Sequence, residues 1–161
     1  MTVQPPSVVS FTVPGRIGGK QRHRSFVRHG QVIHATPEQT VSQEGIVKHY
    51  GHQAMIKDRL PMLRGALRLH VEVWRCYPKS WSPKKCARHT YVTGKPDWDN
   101  TGKLIGDALN GICYRDDSQI ADGRLVRRYR TEGEEIQVTL TELDTVFEEP
   151  RQHQRLYRVN P

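Results

Sequence analysis

Long apolar runs are absent. No stretch reaches the roughly 18 consecutive apolar residues of a membrane span, and the N-terminus carries no hydrophobic signal core. The expectation is a cytoplasmic protein with no membrane partner. Cysteine is scarce: Cys76, Cys86 and Cys113 are odd in number and form no C-x-x-C pair, which excludes a disulfide framework. A zinc set of Cys76, Cys86 and His89 has no standard spacing and lacks a fourth ligand, so reduced thiols are the simpler reading. Acid is missing from whole regions. None precedes Glu38, and none lies between Glu72 and Asp97. With a formal net charge of +8 and a sequence pI of about 9.7, the chain favours a polyanionic partner.

The 161 residues suit a single domain, with hydrophobic residues at 35% and charged ones at 26%. Residues 1–145 read as that domain and 146–161 as a polar tail. Residues 7–14 read as a strand. A Gly-rich basic segment follows, containing Arg16, Lys20, Arg22, Arg24 and Arg28, with a small hairpin around "RHG". Thr36-Pro37-Glu38-Gln39 reads as a helix start with Thr36 as N-cap. That helix should run to about Ile56 with Val41, Ile46, Val47, Tyr50 and Ala54 inward. The segment "ALRLHVEVWRCYP" alternates, with Leu67, Leu69, Val71 and Val73 on one face. A loop with six basic residues from Arg75 to Lys95 comes next. Ile120–Arg130 and Glu135–Leu143 read as two more strands turning at Glu132-Gly133. The expected class is α+β: a mixed sheet of about four or five strands packed by two main helices.

Against this basic background, six of the eight aspartates fall between residues 97 and 122. On an extended segment Asp97 and Asp99 point to the same side. From Asn100 onward Leu104, Ile105, Ala108, Leu109 and Ile112 recur at helical spacing, and Asn110-Gly111 closes the helix. Lys103 lies one turn after Asp99. Asp116-Asp117 sits just before a strand, so Asp97, Asp99 and Asp117 could converge. Such a cluster requires a counter-charge, and its hard oxygens suit Mg²⁺ or Mn²⁺, which would let the acids meet a phosphodiester. The plainer alternatives stand beside this one: Asp99 as an N-cap, Asp116-Asp117 as a turn signal, Lys103 as a solvated helix residue, Trp98 as core rather than a stacking surface.

"KPDWDNTGKLIGDALNG" followed by "DDSQI" and a basic strand resembles the RusA family of Holliday junction resolvases, common in phages and prophages. Upstream, "PKSWSPKK" resembles the family's basic loop and "PG…KQRHR" its N-terminal basic element, so the likeness spans about residues 10–143. The resemblance implies a homodimeric, Mg²⁺-dependent endonuclease that nicks four-way junction DNA symmetrically. It implies Asp97, Asp99 and Asp117 as metal ligands and Lys103 as the catalytic lysine, with Asp116 an adjacent acid. Phosphate contacts are expected from Lys20, Arg22, Arg24, Lys79, Lys84, Lys85, Arg88, Lys95, Arg127 and Arg128. Trp98 departs from the family's usual small aliphatic, and only Lys95-Pro96 stands where some members carry an arginine run. A nuclease for other branched or flap DNA, or a non-enzymatic basic nucleic-acid-binding protein, are the alternative readings.

Overall fold

The computed structural model describes residues 6–21, 24–29 and 31–143. Arg22 and the segment 146–161 lie outside them, as does the side chain of Arg24. The chain runs β1 (Val8–Pro14), β2 (Arg24–Arg28), β3 (Gln31–Ala35), α1 (Glu38–Lys57), β4 (Leu67–Cys76), α2 (Pro83–Arg88), α3 (Trp98–Leu109), one 3-10 turn (Asp117–Gln119), β5 (Ile120–Arg130) and β6 (Glu135–Glu142).

The alternating segment is the centre of the sheet. β4 lies between β6, antiparallel, and β5, parallel, with β1 beyond β6 in a four-stranded mixed sheet. Leu67, Leu69, Val71 and Val73 are all buried on one face, as a period of two requires of a sheet with helices on that side. Opposite them, Val138 pairs with Val71 and Leu140 with Leu69. The basic hairpin forms as a separate two-stranded ribbon of β2 and β3. The α+β class, the mixed sheet and the two main helices match the expectation, with α2 as a short addition.

Helix α3 buries Thr101, Leu104, Ile105, Ala108 and Leu109, a stripe at helical spacing. It begins at Trp98, two residues before the periodicity suggested, because Asp97 already holds the extended N-cap position. Helix α1 departs further from expectation. Its N-cap is Pro37 with no side-chain cap bond, so Thr36 is one residue too early. Its buried face is Thr40, Val47, Gly51, Ala54 and Met55, while Val41 and Ile46 are 55% and 41% exposed. Where α1 comes closest to α3 the position is held by glycine. A Cβ on Gly51 would sit 2.7 Å from Leu109 Cδ2, so glycine lets the two helices approach.

The segment after β1 laces these helices together. Gly18 N–H donates to Gln43 Oε1 (3.2 Å), Gln21 N–H to Thr40 Oγ1 (3.2 Å) and Lys20 N–H to Asn100 O (2.9 Å). The start of α3, where the acids stand, is thereby fixed to the N-terminal third of the chain.

Candidate active site

Asp99 lies in the first turn of α3, where the helix dipole favours a carboxylate. One turn on, Lys103 Nζ stands 3.4 Å from Asp99 Oδ2. This acid-before-base spacing is the favourable order. Both side chains are more than half exposed, so the pair contributes little stability and stays open to a ligand. Asp117 comes from a different element, the turn before β5. That turn is braced: Asp116 accepts from Ser118 N–H (2.9 Å), and Gln119 Oε1 accepts from Arg115 N–H (2.9 Å) and Asp116 N–H (3.2 Å). Gln119 Nε2 donates to Gly65 O at 3.1 Å. The fully buried Tyr114 ties the same turn to α3 by donating to Gly106 O at 2.8 Å.

The result is one hollow of about 280 Å³ lined by Asp99, Lys103 and Asp117, with Trp98 and Arg124 on its walls. Its floor includes the buried Leu69 and Val71, an apolar surface that strengthens charge interactions above it. Asp97 is not in this hollow. It lines a neighbouring one of about 590 Å³ with Arg16, Lys20, Lys95 and Asn100. Among the described residues no three His, Cys, Asp or Glu side chains form a group able to hold a metal ion. The expected same-side projection of Asp97 and Asp99 fails because the helix starts between them: one is an extended cap and the other is already helical. Asp116 is a structural cap, and its hydrogen bonds with Ser118 hold its carboxyl below the usual carboxylate range.

The cations divide into two groups. Lys79, Lys84 and Arg88 are exposed on the loop around α2. That loop rests on stacked aromatics: Tyr77 lies on Tyr129 with ring centres 5.2 Å apart, Trp81 packs on Tyr129 at 5.3 Å, and Lys85 Nζ sits 4.4 Å over Trp81. Lys95 is exposed beside Asp97. The others are engaged inside the fold. Lys20 pairs with Asp107 and, at 3.6 Å, with Glu44. Arg127 donates to Val92 O (3.1 Å), Gly94 O (3.2 Å) and Pro96 O, clamping the loop that leads into Asp97. Arg128 lies 5.8 Å from the ring centres of both Trp74 and Tyr91. Arginine on an exposed-looking strand gives no sequence signal for such stacking.

Trp98 corrects another expectation. It is 53% exposed rather than core, and its indole N–H donates to Leu125 O at 2.9 Å. Arg124 joins the site with no motif to mark it. Its only sequence signal is its place in the basic strand after the acids.

The chain belongs to the RusA family of endodeoxyribonucleases, whose sequence pattern, described as endodeoxyribonuclease RusA, matches residues 14–141. It is therefore a nuclease of the Holliday junction resolvase family. It is also similar to the uncharacterized protein YqaN of Bacillus subtilis (strain 168), 30% identical over 141 residues covering 84% of this chain and 96% of that one. No helix among the described residues is long and apolar enough to cross a membrane.

Proposed function

We propose that this protein resolves Holliday junctions in DNA recombination and repair, in a bacterial or phage-infected cytoplasm. It acts as a homodimer that nicks two opposed strands by divalent-metal-dependent hydrolysis, leaving 5′-phosphate and 3′-hydroxyl ends. One observation carries the reading: Asp99 and Lys103 from α3 and Asp117 from the turn before β5 share one open hollow within a chain of the RusA family.

The donor set fits the implied ion. Mg²⁺ is held through one or two carboxylates plus waters and substrate phosphates, and Asp99 and Asp117 supply such a pair. Bound there, Mg²⁺ or Mn²⁺ would activate water and offset charge on the attacked phosphate. Asp97 is the third proposed ligand. Its carboxylate is exposed and makes no cap hydrogen bond, so it is free to turn toward a cation. Lys103 places its ammonium against a phosphate oxygen and meets the charge that develops there. The exposed Lys79, Lys84, Lys85, Arg88 and Lys95 contact DNA phosphates, which positions the junction without reading its bases. A two-fold dimer suits a substrate with near two-fold symmetry.

Nicking of a synthetic four-way junction, set beside linear duplex with and without Mg²⁺, tests the proposal. Asp99→Asn and Asp117→Asn are expected to bind the junction and to cut it at least ~100-fold more slowly. Equal cutting of duplex and junction would replace junction resolution with a broader nuclease activity. No cutting by the parent under any divalent ion would leave a binding protein.

A further inference from the structure

Beyond the hollows that hold the acids, a third concavity of about 400 Å³ opens between the end of β4 and the 92–95 loop, lined by Arg16, Arg75, Lys79, Lys95 and Glu134 among others. Its inner wall is unusual. Arg75 is only 6% exposed, on the core-facing side of β4. Its Nη2 donates to Ile17 O, while Nη1 is buried with no hydrogen-bond partner. A buried guanidinium normally has its donors satisfied and its charge paired. Here neither condition holds: among the described residues Arg16, Arg75, Lys79 and Lys95 form no ion pair. Glu134 turns one carboxylate oxygen to Cys76 N–H at 3.3 Å instead.

The geometry points to a phosphate subsite for the DNA backbone in this hollow, with Arg75 as its inner cation and Arg16, Lys79 and Lys95 at its mouth. The assignment rests on the nuclease reading for the identity of the anion. The planar guanidinium suits a phosphate with two oxygens to present. Arg16 and Lys95 also line the hollow that contains Asp97, so a strand crossing from one hollow to the other keeps its phosphates in contact with cations. Burial, and then repulsion from Arg16 and Arg127, push the Arg75 guanidinium's pKa down, with Glu134 opposing.

The test is the salt dependence of DNA binding in the absence of divalent ions, measured with a four-way junction and with linear duplex. Removing one phosphate-binding cation lowers the slope of log affinity against log salt by about 0.9. Arg75→Met is expected to lower it by about that amount, and Arg75→Lys to restore the parent value. The thermal midpoint of Arg75→Met should stay at or above the parent's, since an unpaired buried charge is gone. A drop in thermal stability with an unchanged slope makes Arg75 a structural strut and overturns the subsite. Should Arg75→Met fail to fold, Arg16→Gln/Lys95→Gln carries the test. It should lower the slope by about one phosphate's worth, whereas Lys48→Gln/Lys57→Gln on α1 should not; equal effects from both pairs overturn the proposal. Inorganic phosphate that raises the midpoint over chloride at matched ionic strength, with no slope change in any variant, assigns the hollow to a free anion instead. Normal slopes for duplex without junction cutting would sink the resolvase reading and leave the subsite standing.

Discussion

Asp116 and Asp117 are chain neighbours with separate duties. Asp116 closes the turn, and Asp117 stands free in the hollow because that turn is closed. The pH dependence follows from the sign of the Asp116 shift. Its folded pKa is depressed by the Ser118 hydrogen bonds, so its contribution to stability is present above the ordinary carboxylate range and is lost as pH falls through the depressed value. Comparing thermal midpoints of the parent and Asp116→Ala across pH should show a gap near neutrality that closes in acid. A constant gap would remove the linkage. Cys113 gives a second residue-level prediction. Burial pushes its thiol up to about 12, and it is fully buried. It should resist maleimide at pH near 8 until the protein is denatured, while the half-buried Cys76 and Cys86 label first. Labelling of all three thiols together in the native protein would contradict the burial.

Between elements, the packing that matters most for the site is α1 against α3. Gly45 and Gly51 lie in the same helix and respond oppositely to substitution. A Cβ at Gly45 meets nothing within 4 Å, while one at Gly51 meets Leu109 at 2.7 Å and Cys113 Sγ at 3.4 Å. Gly45→Ala should stabilise by up to ~1 kcal/mol through helix propensity. Gly51→Val should destabilise by about 1–3 kcal/mol through overpacking. Thermal unfolding reads both, and a stabilising Gly51→Val would refute the close helix approach. Arg127 acts between elements too. Its three carbonyl acceptors span residues 92–96, so Arg127→Ala releases the approach to Asp97 and should reduce cleavage rate more than junction affinity. Arg127→Lys should restore little, because an ammonium lacks the planar fork. An Arg127→Ala variant in which affinity alone falls would return this residue to the phosphate contacts.

For the whole molecule, the excess of positive charge is the dominant property. Junction affinity measured without divalent ions should fall steeply between about 50 and 200 mM salt, by about 10³-fold for six or so phosphate contacts. A salt-insensitive affinity would mean that the basic loop and the arginines do not meet the backbone.

Some features were legible in the order of residues alone. The alternation at Leu67–Val73 placed the central strand, since a period of two with β-branched and aliphatic residues admits little else. The stripe from Leu104 to Leu109 placed the helix, and the spacing of Asp99 and Lys103 placed that pair one turn apart along it. Other features arise only when the elements pack. Val41 and Ile46 face outward because Gly51 and Ala54 fit closer to α3. Arg127 is taken up by the carbonyls of the 92–96 loop, and Arg128, on the other face of β5, lies against the rings of Trp74 and Tyr91. Asp97 parts from Asp99 because a helix begins between them. Periodicity records which face of an element is apolar. It holds no information about which neighbour that face meets or which cation the fold has already neutralised, and those are properties of distance in space.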